Sequence, residues 1–253
     1  MTTPIALQLY TVRDLLAKDF AEVVRKIADM GYVGVETAGM YGGTPRDAAR
    51  RFKELGLTLP SAHLPLPLGE KKNEVLDAAA ALGCKRIVLG GTPRDLRAAD
   101  QARRACDQFN EANAVAREHG LSLSLHNHWW EFERVDDGRT VFQVMQAHLD
   151  PTVLFEPDVY WAKTGGVDPA ALVKELGQRA PLLHIKDGPC IVGQPMTAVG
   201  EGQVDIPGVV QAAAGAAEWL IVELDACASD MLEAVEKSYR YLVGKGLARG
   251  NKN

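Results

Sequence analysis

Eight short apolar runs recur along the chain at intervals of 26 to 38 residues, and this rhythm limits the possible folds more than any other feature. The runs begin near residue 5 (IALQLY), 32 (YVGVE), 58 (LTLPSAH), 86 (RIVLG), 121 (LSLSLH), 152 (TVLFEPD), 181 (PLLHIKD) and 219 (WLIVELD). Each interval has room for one strand and one crossover helix. The segments between carry helical periodicity. Phe20, Val23, Val24, Ile27 and Ala28 form one apolar face, with Asp19 and Glu22 reading as a capping-box variant at its start. Ala102, Cys106, Phe109, Ala112 and Ala116 form another, and Gly120 ends that helix before the next run. Eight even units that fill 253 residues predict an α/β protein, a single-domain (β/α)8 TIM barrel over 1–253. A doubly wound open sheet fits the spacing less well. Residues 244–253, polar and glycine-containing, are expected to fray.

Composition removes several function classes. At 47% hydrophobic and 24% charged residues, the chain matches ordinary globular proteins. The formal net charge of −5, with acids and bases interspersed, argues against a nucleic-acid partner. Cys84, Cys106, Cys190 and Cys227 form no C-x-x-C pair, so free thiols are expected rather than a zinc ribbon or a disulfide scaffold. There is no signal-peptide pattern, and no stretch reaches the roughly 18 apolar residues of a membrane span. A cytoplasmic protein without a membrane partner is expected.

In such barrels the active groups collect at the carboxyl ends of the strands. Here strand 2 ends in Glu36, strand 3 in His63, and strand 5 in His126-Asn127-His128. Strand 6 ends in Glu156-Pro157-Asp158, strand 7 in His184-Ile185-Lys186-Asp187, and strand 8 in Glu223-Leu224-Asp225. Residues two apart on a strand share a face, so imidazoles and carboxylates converge at one mouth. Buried together without a cation, those carboxylates repel or shift their pKa values. A site for one divalent ion, held by His126, Asp158, His184 and Glu223, is the expected solution, with Mn, Mg, Co or Zn all chemically suited. Asp187 and Asp225 read as structural.

The stretches GLSLSLHNHWWEFE, FEPDVYWAKTGGVDP, HIKDG, GEGQVD and IVELD resemble the sugar phosphate isomerase/epimerase family, whose members have a xylose isomerase-like barrel. The resemblance spans Ala6 to about Tyr241. It implies one divalent metal held by side chains of strands 5 to 8, with Asp158, His184 and Glu223 matching the ligands of strands 6, 7 and 8. The family's epimerases place a Glu at the end of strand 5, where this chain has His126-Asn127-His128. Either His126 replaces that ligand or Glu131 reaches back to the metal.

A metal at the mouth would act as a Lewis acid on a carbonyl and an adjacent hydroxyl, favouring proton abstraction next to the carbonyl and an enediolate. Return of the proton gives isomerisation or epimerisation, and loss of a β-hydroxyl gives dehydration. The expected activity is therefore a metal-dependent isomerase or epimerase of a sugar, keto-sugar or polyol. A dehydratase or lyase of keto-sugars or keto-glycosides is the alternative within the enzymes, and a non-catalytic sugar-binding barrel the alternative outside them. Glu131 and His128 are the candidates for proton transfer, and Lys186 for polarising an oxygen beside the metal. Glu36, His63, Trp129 and Trp161 are candidates for substrate binding. Tyr10, Tyr41, Trp130 and Tyr160 also fall just past strand ends, where aromatic faces suit sugar C–H groups. The loops after strands 7 and 8 carry no Lys or Arg, which favours an unphosphorylated substrate; Gly90-Gly91-Thr92 with Arg94 is the one weak anion cradle. The glycine-rich loop after strand 7 reads as a lid. Wide apolar helices hint at a homodimer.

Overall fold

The computed structural model describes residues 2–252. Strands and helices alternate in the order β1 (Ile5–Gln8), α1 (Arg13–Leu16), α2 (Phe20–Met30), β2 (Gly34–Glu36), α3 (Pro45–Glu54), β3 (Ala62–His63), α4 (Lys72–Leu82) and β4 (Arg86–Leu89). They continue as α5 (Ala99–Glu118), β5 (Ser122–His126), α6 (Val141–His148), β6 (Leu154–Glu156), α7 (Val159–Thr164), α8 (Pro169–Leu176), β7 (Leu182–Ile185), α9 (Ile206–Ala212), β8 (Trp219–Val222) and α10 (Met231–Gly244). All eight apolar runs become strands. They pair in parallel as two arcs, β2-β1-β8-β7 and β3-β4-β5-β6. Single bridges close the ring: Gly34–Thr58 and Thr37–Ala62 at one seam, Asp158–His184 at the other. Closure leaves no open sheet edge. The third strand is much shorter than its apolar run because Pro60 has no N–H to donate, so only Ala62 and His63 pair with β4.

The strand interior explains where the site sits. Ala6, Val88, Leu182 and Ile221 are fully buried and form a small cluster of their own. Two residues further along each strand, the same face carries Gln8, Gly90, His184 and Glu223. The other strands do likewise: Glu36 follows Gly34, His126 follows Ser124, and Glu156 follows Leu154. Parallel register puts these residues at one level, with Gln8 beside Glu36 and His126 beside Glu156. The barrel is thus plugged with apolar side chains below and lined with polar ones at its carboxyl end. The outer helices supply the rest of the core, through Val23, Val24 and Ile27 of α2 and Ala102, Cys106, Phe109, Ala112 and Ala116 of α5.

Three local expectations change. Asp19 caps α2 by accepting from the Glu22 N–H at 3.0 Å, but the Glu22 carboxylate turns to Arg25 at 2.7 Å, so only half the capping box forms. The tail from 244 to 252 is docked rather than frayed. Ala248 is buried, the Arg249 N–H donates to Thr3 at 2.8 Å, the Asn251 N–H donates to Gly31 at 3.0 Å, and the Tyr239 hydroxyl donates to the Lys252 carbonyl at 2.6 Å. Backbone partners at the start of β1 and the end of α2 hold it, and composition does not reveal them; Asn253 lies outside the described residues. The loop after β7 is pinned as well, as shown below. Among the described residues no helix is long and apolar enough to cross a membrane.

Candidate metal centre

At the carboxyl end of the barrel, one donor atom from each of His126, Asp158, His184 and Glu223 lies within 4.8 Å of the others. Two ligands about 2.1 Å from one ion stand roughly 3 to 4 Å apart, so this spread suits a single divalent cation. Local structure aims each group. Asp158 caps α7: its Oδ1 accepts from the Trp161 N–H at 2.8 Å, which leaves Oδ2 for the site. Asn127 braces the same turn, its Oδ1 accepting from the Asp158 N–H at 3.0 Å. His126 Nε2 stands 3.9 Å from Asp158 Oδ2, too far for a hydrogen bond. His184 Nδ1 lies 2.8 Å from Glu223 Oε2. Asp158 Oδ2 and His184 Nδ1 are buried with no well-directed hydrogen bond and meet only the charged Lys186 and Glu223, at 2.9 and 2.8 Å. The unpartnered His126 Nδ1 turns toward Glu156, 3.9 Å away. Buried polar atoms without a directed hydrogen bond are rare in folded proteins, and a cation satisfies them.

A second group lies deeper: Glu36, His63, Glu156 and the other face of His184. Most of its polar atoms are paired, although Glu156 Oε1 is buried without a partner. Glu36 accepts from Gln8 Nε2 at 2.6 Å, from the Ser61 hydroxyl and from His184 Nε2 at 2.7 Å. His63 Nε2 lies 2.9 Å from Glu156 and 3.2 Å from Glu36. Glu36 accepts from Nε2 of His184 and so turns Nδ1 toward the upper group, 2.8 Å from Glu223. Despite burial, the Glu156, Glu223 and Glu36 carboxylates hold the imidazole pKa well above its usual value, and a metal at Nδ1 would displace the proton there. The lower group therefore reads as support for the upper one.

Lys186 is the cation already present. Fully buried, its Nζ lies 2.6 Å from Glu223 Oε2, 2.9 Å from Asp158 Oδ2 and 3.0 Å from Asp225 Oδ2. Burial pulls its pKa down, but the Asp158, Glu223 and Asp225 carboxylates outweigh that and hold it well above the usual lysine value. Burial pushes the Asp158 carboxyl up to about 6 despite Lys186, while for Glu223 Lys186 and His184 overcome burial and lower it. Glu156, raised by burial and then by Glu36, reaches about 7. Burial, followed by Lys186, depresses His128 to about 3, so its imidazole is neutral at ordinary pH.

His128 stacks on Trp130 at 4.0 Å and faces a cavity of about 340 Å³. Tyr10, His63, His126, Glu223 and Asp225 also line this cavity. Trp129 and Trp161 pack at 4.6 Å on the same side of the mouth. Tyr160 is buried against Trp161 at 4.9 Å and Tyr41 lines the neighbouring groove, so the six aromatic residues do not share one surface.

Two candidates from the sequence are corrected. Glu131 neither joins the metal group nor faces the cavity: it is fully buried, and its oxygens accept from the Thr92 N–H and hydroxyl at 2.9 Å each and from the His128 N–H at 2.8 Å. Three donors hold it as a clamp between the loops after β4 and β5, away from the cavity lining. Between His126 and Glu131, it is His126 that stands with the strand 6, 7 and 8 groups. The same bonds consume the Thr92 N–H, which dissolves the anion cradle proposed at Gly90-Gly91-Thr92. Glu36 is likewise sealed from any substrate by Gln8, Ser61 and His184. Asp187 organises the loop after β7, accepting from the N–H groups of Gly188, Gly200, Gly202 and Val204 at 2.9 to 3.0 Å. These four bonds tie down the segment expected to act as a lid. Sequence reading passed over Glu156 and Asp225 as site members, although strand alternation puts each on the face of a chosen ligand.

Comparison with known proteins agrees with this architecture. The family model described as xylose isomerase-like TIM barrel matches residues 24–242, and the chain belongs to that family. Among solved structures, it is similar to a sugar phosphate isomerase/epimerase from Parabacteroides distasonis ATCC 8503, at 26% identity and a TM-score of 0.83, over 100% of this chain and 96% of that one. An L-ribulose 3-epimerase shares the fold at 15% identity and a TM-score of 0.69, over 97% and 94% of the two chains. The IOLI protein, solved with a bound zinc atom, does so at 14% identity and a TM-score of 0.73, over 98% of each chain. No curated protein matches the sequence.

Proposed function

We propose that this chain is a divalent-metal-dependent isomerase or epimerase that moves a proton on the carbon next to a carbonyl of a sugar, keto-sugar or polyol. One observation carries the reading: four buried donors from four successive strand ends converge within 4.8 Å of one another at the barrel mouth. The similarity to a sugar phosphate isomerase/epimerase supports the reaction class, and the zinc-bound neighbour supports a metal in this fold. A divalent ion bound here supplies Lewis acidity to substrate oxygens. The chain's own groups do the rest. Neutral His128, on the cavity wall, takes the proton from carbon. Lys186, held charged by three carboxylates, adds positive charge beside the substrate oxygens and polarises them. Trp129 and Trp161 orient the apolar face of the sugar, and His63 binds a hydroxyl. An unphosphorylated substrate is favoured, because Lys186 is already claimed by carboxylates and Arg94 is stacked over Trp129 at 5.1 Å. The protein acts in the cytoplasm, as a monomer or a homodimer.

Lys186 itself favours a second reading. Its ammonium bridges Asp158 and Glu223, two of the four candidate ligands, and could be the resident cation of a metal-free site. The test is deuterium uptake by NMR in D2O, with a panel of ketoses and protein loaded with Mn²⁺ or stripped of metal. Uptake next to the carbonyl that needs the ion, and that falls at least about 100-fold in His128→Asn, supports the proposal. Uptake by stripped protein favours the lysine reading. No uptake with any member of the panel counts against both.

A further inference from the structure

The mouth cavity does not end at the barrel rim. A groove of about 740 Å³ adjoins it, and the two share Ala38 and His63 as wall residues. The groove runs outward between the start of α3 and the length of α4. Its origin lies in α4, where Ala78 and Ala81, three residues apart, present methyl groups to the space that longer side chains would fill. Tyr41 and Pro45 form one wall, and Leu64, Pro65 and Val75 form the floor and the other wall. The polar groups are few: His63 at the inner end, and the exposed Glu74 and Asp77 on the outer rim.

We infer that this groove binds an apolar, uncharged aryl substituent carried by the sugar, so that the substrate is an aryl glycoside that keeps a ketone on its ring rather than a free monosaccharide. The inference rests on the proposed sugar site at the mouth and names the class of its substrate. Continuity through His63 and Ala38 means that a sugar seated against the metal group directs one substituent into the groove. A second sugar ring would need several hydrogen-bond partners, which Tyr41, Pro45, Leu64, Pro65 and the two alanines largely fail to offer. An anionic group would meet Glu74 and Asp77 with no nearby Lys or Arg in the lining. An aromatic ring meets an aromatic face and aliphatic walls, as pockets for such ligands usually provide.

Binding of 2-naphthol, methyl glucoside and 2-naphthyl glucoside to the Mn²⁺-loaded full chain, measured by calorimetry and naphthyl fluorescence, tests the inference. The naphthyl glucoside should bind about tenfold or more tighter than the methyl glucoside. Ala78→Trp, which fills the groove, should bring that ratio near one and abolish naphthol binding. Ala81→Leu, a milder filling, should lower the ratio part of the way. Naphthol that fails to bind the wild-type chain overturns the inference, as does a naphthyl glucoside that gains nothing over naphthol alone. Failure of the mouth reading shows separately, as a chain that takes up no Mn²⁺ while naphthol still binds in a manner sensitive to Ala78→Trp.

Discussion

His184 is shared by two buried groups that look alike in composition and differ in what holds their carboxylates. Below it, Glu36 meets Gln8, Ser61 and His184, and His63 spans Glu36 and Glu156. Above it, one buried ammonium, Lys186, meets Asp158 Oδ2 at 2.9 Å and Glu223 Oε2 at 2.6 Å, His184 Nδ1 lies 2.8 Å from Glu223, and His126 stands 3.9 Å from Asp158. Both groups offer two imidazoles and two carboxylates, so residue type alone does not mark a metal site. The difference is what holds the carboxylates. A group held mostly by hydrogen bonds from protein donors gains little from an added cation, whereas one whose carboxylates already gather round a cation can exchange it for a divalent ion. The lower group then matters through orientation: by accepting from Nε2 of His184, it presents Nδ1 upward.

This contrast can be broken by mutation. The largest effect is expected at Glu223, where Glu223→Gln removes a ligand charge and should abolish Mn²⁺ binding and deuterium uptake together. Retention of both would refute the upper group as the metal site. Next comes Lys186→Met. It strips the only ammonium from Asp158 and Glu223, so the metal-free chain should lose about 3–5 kcal/mol of stability by denaturant unfolding. Added Mn²⁺ should restore most of that loss, because a divalent ion then faces both carboxylates without a competing charge. A smaller effect belongs to the lower group. Glu36→Gln should weaken Mn²⁺ binding by about 10–100-fold while leaving the stoichiometry unchanged, as expected when the partner of a ligand is lost rather than the ligand itself.

Much of this was legible in the sequence, for identifiable reasons. Strand spacing survives in the primary structure because each βα unit must bury one strand and one helix face, which gave all eight strands near their observed places. His126, Asp158, His184 and Glu223 were legible because strand ends point inward at period two. The roles of Glu131 and Glu36 were not. Both sit at strand ends or in conspicuous motifs, yet what decides their function is the number of donors reaching them from Thr92, His128, Gln8 and Ser61. Those partners lie 3 to 39 residues away in sequence and are brought into place by the folded barrel. The tail was misread for the same reason: its polar composition suggests fraying, but Thr3, Gly31 and Tyr239 supply partners that a composition argument cannot see. The pinned loop after β7 depends likewise on one buried carboxylate, Asp187, that collects four N–H groups.

Counting bound ions tests the central claim most directly. The purified chain, stripped of metal and then equilibrated with Mn²⁺, should hold one ion per chain by elemental analysis, and Glu223→Gln should hold none. Two ions per chain would place a metal in the lower group too and contradict the division drawn between the pair. None in the wild-type chain would contradict the metal reading itself and leave Lys186 as the cation of the site.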